Sequence, residues 1–525
     1  MKRIIFFICI GLTINVAQSQ EVPDALRYSQ DNLNGTARFR SMAGAFGALG
    51  GDLSSINVNP AGSAIFSNNQ LAVTLTNFNK KNDSDYFGTK TDATNNSFNL
   101  NQVGGVFVFK NQNQSSNWKK FAVAINYEMT NNFDNSIFSA GRNQTNSVDG
   151  YFLSHANFGN GGAPVPQEFV KTNEGESISG LYSYLGSSLP NVQNPNLSGF
   201  GAQQAMMGYQ AYIINALDDT NNNSKYVSNV TPGGNYYQEN RVYSNGYNGK
   251  LSFNASTSYK DKLYIGVNLN SHFLDFTQSS SFYESNNNNP VNANYTVKNL
   301  RFNNNLYTYG TGFSFQIGAI AKVTNEIRLG FTYDSPIWYN LNDEFSQNLT
   351  AVRTTNVGVL PADVVDPKII NYYEPYKLQT PDKWTGSLAY VFGKKGLISF
   401  DYSRKDFSTT TFKPKQDFSG TNKQISNNLT VSNEFRVGAE YKIKEWSLRG
   451  GYRFEESPYK DKRNIGDLNS YSGGLGYNFG MFKLDLAYFN SQRNSAEGFF
   501  TQGFTEGAKI KTTNNNFTMT LLFEM

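Results

Sequence analysis

The chain has 525 residues, a net charge of +4 and a mean hydropathy of −0.50. So slight a basic excess, two charges of which stand in the first three residues, argues against a nucleic-acid partner. After the N-terminal segment no apolar run approaches the roughly 20 residues of a spanning helix. Yet aromatics reach 15%, with 41 Phe and 32 Tyr set among Asn and Gly. Strands that alternate lipid-facing and lumen-facing residues resolve this mixture, being polar on average while presenting an apolar belt.

Lys2 and Arg3, the apolar run from Ile4 to Val16 and the small-residue site Ala17-Gln18-Ser19 read as a cleavable export signal over residues 1–19. Cys9 follows Ile8, where a lipoprotein signal wants a small residue, so it reads as a packing residue that leaves with the peptide. The mature chain then holds no cysteine, which removes disulfides and thiol chemistry.

Residues 20–67 follow, centred on GTARFRSMAGAFGALGGDLSSINVNPAGSAIF from Gly35 to Phe66. Gly44, Gly47, Gly50 and Gly51 among alanines let the backbone pack closely, and Asn59-Pro60-Ala61 imposes a bend. GAFGALGG is followed by no Lys-Ser or Lys-Thr and lacks the strand, loop and helix of a phosphate cradle, so its glycines read as packing. In wording, spacing and position, GGDLSSINVNPAGSAIF resembles the hatch of the FadL/TodX (OmpP1) family of outer-membrane hydrophobic-compound transporters. EFRVGAEYKIKEWSLRGGYRFEESP at 434–458 and YSGGLGYNFGMFKLDLAYFNS at 471–491 resemble the family's late barrel strands. The resemblance implies an all-β, 14-stranded antiparallel transmembrane barrel over residues 68–525, plugged by residues 20–67. It also implies that Gly50, Gly51, Asn59, Pro60 and Ala61 hold the hatch and so serve gating.

Period-2 alternation supports that architecture without the resemblance. Phe121, Val123, Ile125, Tyr127 and Met129 share one face, as do Leu263, Ile265, Val267 and Leu269, then Phe435, Val437, Ala439 and Tyr441, then Trp446, Leu448, Gly450 and Tyr452. Candidate strands begin near residues 69, 96, 118, 240, 262, 298, 326, 381, 396, 428, 445, 467, 482 and 511. The connections at 111–116, 260–262, 324–326, 393–396, 442–445 and 478–481 are short and therefore periplasmic, and the long ones are extracellular. The last strand alternates Phe517, Met519, Leu521, Phe523 and Met525, a form the barrel-insertion machinery reads, ending on Met in place of the usual aromatic.

The connection over residues 134–238 is the candidate ligand collector. Within it AQQAMMGYQAYIINAL, from Ala202 to Leu217, has helical spacing and offers Met206, Tyr209, Tyr212 and Ile213; LYSYLG at 181–186 adds Leu181, Tyr182 and Leu185. The competing reading is that these turns simply pack on the barrel rim. Strand parity places Arg328, Arg436, Arg449 and Arg453 in the lumen, where a guanidinium fork suits a carboxylate headgroup. Asp334, Asp401, Glu440 and Asp485 share that interior and offer ion pairing instead.

The histidines are His155 and His272, each preceded by serine; adjacent strand residues face opposite ways, so Ser271-His272 is not by itself a nucleophile and base pair, and a lumen-facing His272 is the simpler account. Two histidines and no mature cysteine leave no recognisable metal site, and no cofactor is expected. The expected activity is passive, non-enzymatic uptake of long-chain fatty acids or similar hydrophobic compounds across the Gram-negative outer membrane, captured by extracellular loops and released past the hatch. Burial of about 0.8 kcal/mol per methylene would drive capture. Outer-membrane lipid is the expected surrounding and a monomer the expected state. The alternatives are haem or aromatic-compound uptake on the same barrel, or a non-transporting barrel serving as a secretion or surface-assembly partner.

Overall fold

In strands whose side chains alternate, one face of each must meet lipid and the other must meet whatever fills the lumen. The computed structural model describes residues 20–525 apart from 114, 188–193, 195 and 290–294; the export signal lies outside the described residues. It shows fourteen antiparallel strands. They are β1 (Gln70–Tyr86), β2 (Thr89–Lys110), β3 (Trp118–Asn132, resuming at Asn135–Asn143), β4 (Tyr236–Tyr259), β5 (Leu263–Ser285), β6 (Thr296–Lys322) and β7 (Ile327–Asp334, resuming at Trp338–Thr355). Then come β8, broken into short pieces ending in Lys383–Val391, β9 (Gly396–Asp406), β10 (Val431–Ile443), β11 (Trp446–Glu455), β12 (Ile465–Asn478), β13 (Phe482–Gly498) and β14 (Gly507–Glu524). β1 pairs with both β2 and β14, from Gln70 opposite Glu524 to Asp85 opposite Lys509, and this closes the barrel.

The expected parity is visible side chain by side chain. Phe121, Ile125, Leu263, Ile265, Leu269, Val437, Trp446 and Phe517 are exposed on the outer face, whereas their strand neighbours Ala122, Ala124, Tyr264, Asn268, Arg436 and Thr518 are buried. The expected strand starts hold to within a few residues with one exception. β2 begins at Thr89 because Phe87 and Gly88, both at positive φ, reverse the chain in two residues. The polar run Thr89–Asn95 carries no apolar alternation that would have shown it.

The collector loop is also shorter than its expected bounds of 134–238. β3 resumes after a break at Phe133-Asp134 and β4 starts at Tyr236, leaving residues 144–235 as the connection. β4, β5 and β6 have 24, 23 and 27 residues. At about 3.3 Å per residue and the usual tilt, such strands stand more than twice as tall as a ~25 Å apolar belt.

Residues 20–66 occupy the lumen. They form α1 (Val22–Ser29), α2 (Ala37–Ser41) and two 3-10 turns, Leu53–Asn57 and Pro60–Ile65. Phe46, Ala48, Ile56, Ala61 and Ala64 are fully buried there. The wall makes room with inward-facing glycines: a Cβ on Gly318 would lie 2.2 Å from Asn59 Oδ1, on Gly266 2.5 Å from Pro60 and on Gly330 2.2 Å from the Gly47 carbonyl. Real Cβ atoms do not approach so closely, so hatch and wall interlock through missing side chains. Gly330→Val is expected to push the hatch off the wall while the barrel still closes. In planar bilayers the variant should carry a steady current where the parent is closed; an unchanged closed state would contradict the interlock.

Candidate functional site

The hatch is mostly irregular, so its backbone amides and carbonyls lack ladder partners and must find them elsewhere. Lumen side chains supply them. Asn268 Nδ2 donates to Ile56 O at 2.8 Å, Gln316 Nε2 to Asn57 O at 2.9 Å and Asn254 Nδ2 to Pro60 O at 2.9 Å. Asp401 accepts from the amides of Phe46 and Gly47 at 3.0 and 3.1 Å.

Asn59, fully buried, is the junction of this lattice. Its Oδ1 accepts from Ala61 N at 3.1 Å, capping the turn that Pro60 opens, while Nδ2 donates to Gly47 O at 2.8 Å and to Ala319 O of β6 at 3.0 Å. One side chain thus ties its own turn, the glycine segment and the wall. Gly50 and Gly51 sit at positive φ, and Gly50 is within 2.8 Å of Gly62 when given a Cβ, so the two hatch segments touch at backbone distance.

Two of the four lumen arginines reach the hatch backbone: Arg328 Nη1 donates to Leu49 O and Arg436 Nη1 to Gly44 O. Arg449 joins a buried network in which Glu440 receives Arg449 Nε at 2.7 Å and Arg38 Nε of the hatch at 2.8 Å, while Arg449 Nη1 reaches Asp485 at 2.6 Å. Arg453 pairs with Glu434 and Glu455, both at 2.5 Å. Ion pairing, the competing expectation for these side chains, holds Arg449 and Arg453 and also reaches Arg436, 3.5 Å from Glu434.

Above the hatch the lumen holds two adjoining cavities. One, of about 150 Å³, is lined by Lys250, His272, Asp334, Lys383, Lys405 and Glu434 with Asp31 of the hatch segment; the other, of about 320 Å³, has Phe78, Ile465, Leu468 and Phe489 in its wall. Gln30, Asn32, Leu33 and Asn34 line both, so this strap is the partition between them. His272 Nε2 lies 2.8 Å from Ser314 Oγ, but Nδ1 has no partner and therefore none of the orienting acceptor a hydrolytic pair needs.

The second cavity reaches the barrel wall between β2 (Asn95, Ser97) and β3 (Asn132, Asp134, Asn135). The β2–β3 ladder runs only from Gln102 opposite Glu128 down to Lys110 opposite Lys120. Above it β3 turns inward: Asn82 of β1 donates to Asn135 Oδ1 and Ser136 O at 2.7 Å, and Ser84 meets Ser139 at 2.7 Å. Gly246 of β4 permits the turn, with φ +111° and no room for a Cβ beside Asp275 O. The edge of β2 from Thr89 to Asn101 is left without a ladder on that side; Asn132 Nδ2 to Ser97 Oγ, 3.0 Å, bridges the gap. Phe98, Leu100 and Tyr247, all exposed on the outer face, mark the lower gap as lying in the apolar belt.

The expected collector residues are placed differently from a capturing surface. The helix runs from Gly199 to Gln210, not to Leu217, because Tyr212 takes φ +56° and Ile214–Ala216 becomes a short strand. With α3 (Asp149–Phe158) and α4 (Ile178–Gly186) it caps the barrel mouth. Leu181, Tyr182, Leu185, Met206 and Ile213 are buried in the cap's own core against Phe152, Phe302 and Phe504. Tyr209 is half-buried, and Tyr212, the exposed one, stacks under the Arg353 guanidinium at 3.7 Å. Packing on the rim, the competing reading, describes five of the seven. His155 sits edge-on to Tyr151 and Phe200 in the same cap, and burial pushes its pKa down to about 4.

Sequence reasoning passed over Lys250, Lys383, Lys405 and Asp31. The parity that sorted the arginines applies equally to the first three, which are lumen-facing by count. Glu440→Gln leaves Arg38 and Arg449 underpaired, a loss of about 3–5 kcal/mol from the hatch anchorage. Tryptic cleavage at Arg38 in the reconstituted protein should then appear; continued protection would contradict the anchoring role.

The family model described as outer membrane protein transport protein (OMPP1/FadL/TodX) matches residues 220–520. No curated protein matches. Among solved structures, a Pseudomonas aeruginosa FadL homologue superposes with a TM-score of 0.51 at 13% identity, covering 94% of this chain and 99% of that one. A ΔS2 mutant of the TodX monoaromatic hydrocarbon channel gives 0.51 at 11% identity over 94% and 100%. At such identities the likeness establishes the fold alone.

Proposed function

This chain belongs to the OMPP1/FadL/TodX family of outer-membrane transport proteins, hydrophobic-compound channels and not enzymes, and from that premise we propose that its cargo is an amphiphile of the long-chain fatty acid type that leaves sideways through the barrel wall. The observation that carries the reading is the unpaired β2 edge beside a cavity that continues into the lumen.

The alternative exit, downward through the hatch, meets a segment whose backbone is bonded to the wall at Asn59, Asp401, Gln316 and Asn268. Each buried hydrogen bond broken without replacement costs about 1–3 kcal/mol, and a passive channel has no energy source to break many at once. The gap between β2 and β3 is crossed by far fewer bonds, Asn132 Nδ2 to Ser97 Oγ and, higher up, Thr91 Oγ1 to Phe138 O.

Both cavities mix polar and apolar wall, and this favours an amphiphile over a hydrocarbon. In the larger, Phe78, Ile465, Leu468 and Phe489 offer a tail an apolar strip among polar neighbours such as Lys80, Asp134 and Arg493; the smaller, with Lys250, His272 and Lys405, suits a polar head. A neutral aromatic hydrocarbon would offer nothing to the unpartnered His272 Nδ1 of that lining.

The test uses labelled oleate and cells carrying Ser97→Cys with Asn132→Cys, since the only cysteine of the chain is Cys9. Saturable uptake should persist in the double variant and fall to background when a short bis-methanethiosulfonate, which loses methanesulfinate to each thiol, bridges the pair. Uptake unaffected by the bridge would contradict lateral exit. No uptake by the parent would remove fatty acids from the cargo class.

A further inference from the structure

The smaller cavity contains a cation without a direct hydrogen-bond or ion-pair partner: Glu128 stands opposite it on β3, but that carboxylate accepts from Asn57 of the hatch at 2.8 Å. Lys250 is 8% exposed, lines the cavity and forms no hydrogen bond or ion pair among the described residues. Its cross-strand neighbour on β5 is His272, whose Nδ1 is buried without a partner. Asn270 Oδ1, two residues away and in the same lining, is also unpartnered. Taking an ammonium out of water without a counter-charge is costly unless something answers it.

Besides Glu128, the strap brings a second carboxylate to this side of the cavity. Asp31 makes one ion pair, to Lys405 at 3.5 Å, and 47% of its side-chain surface opens on the cavity. Enclosure in the barrel would raise its carboxyl, but Lys405 and then Lys383, Lys250 and His272 outweigh that and hold it below the usual carboxylate range. Asp31 is therefore the loosely held anion of a cavity whose other carboxylates have closer partners: Glu128 in Asn57, Asp334 in Lys383, and Glu434 and Glu455 in Arg453. Lys383 has a closer partner in Asp334, at 3.1 Å.

Asp31 lies in the Gln30–Asn34 strap that partitions the two cavities, and Lys405 also donates to the carbonyl of Ser29. Resting on the amphiphile reading above, we propose that Asp31 is an internal stand-in for the acidic head of the cargo: an incoming carboxylate takes the Lys250, His272 and Lys405 positions, Asp31 is released, and the strap opens the passage between the cavities. A cavity of about 150 Å³ takes a head of this size but not a whole acyl chain, which would lie in the larger cavity toward the β2–β3 gap.

The experiment is calorimetric titration of the full chain in lipid nanodiscs with decanoate and with decanol, its uncharged counterpart, corrected against empty nanodiscs. Heat-dependent gel migration checks that each variant holds a closed barrel. Asp31→Asn removes the competing anion and should bind decanoate about fivefold tighter or more, while decanol affinity stays the same. Lys250→Gln should bind decanoate about fivefold weaker or more. Decanoate affinity unchanged by both substitutions, with decanol still bound, overturns the exchange and leaves the channel reading standing. A gain in Asp31→Asn shared equally by decanol overturns it too, since opening alone would then suffice. Binding of neither compound by the parent overturns both.

Discussion

An irregular segment enclosed in a closed barrel has no ladder of its own to satisfy its backbone, and that single constraint shapes the interior of this protein. The hatch is built of glycines, alanines and short turns, which fit a confined space but leave amides and carbonyls unpaired. The wall answers with Asn254, Asn268, Gln316 and Asp401, and with glycines where the hatch comes closest. The asparagine and glycine that lower the mean hydropathy of the chain are thus the complement of the plug, as well as the material of the loops.

The same arrangement decides where a passage can form. Because hatch and wall are bonded at many points, the weak boundary lies higher up, where β3 abandons β2 and is held instead by Asn82 and Ser84 of β1. The ladder between β2 and β3 is not continued there, and the cavity behind it is divided from the charged chamber over the hatch by the Gln30–Asn34 strap. Outside, the cap of α3, α4 and the Gly199–Gln210 helix is closed by its own aromatic core, in which Met206, Met207 and Tyr182 are buried, while Tyr212 stays exposed.

Much of this was legible in the sequence, for definable reasons. Period-2 alternation with one lipid-facing side located the strands, and the Asn-Pro-Ala turn located the hatch. What was not legible depends on register or on three-dimensional proximity. The inward turn of β3 follows a short break at Phe133-Asp134 in a polar stretch whose residues all suit a loop equally well. The burial of Met206 and Ile213 depends on Phe302 and Phe504, distant in sequence, coming together beneath them. Asp31 had no strand parity to mark it, since it lies in the irregular segment, and its role follows from Lys405 more than 370 positions away.

The central claim, that the hatch stays in place while cargo leaves sideways, is tested most directly by fastening it. Ser63 of the hatch and Ser256 of β4 meet with their hydroxyl oxygens 2.5 Å apart, so Ser63→Cys with Ser256→Cys offers a disulfide at a contact already made. With that bond formed, labelled-oleate uptake should equal that of the reduced protein. Uptake lost on oxidation and regained on reduction would show that the hatch itself is the gate, and would contradict lateral exit past a stationary hatch.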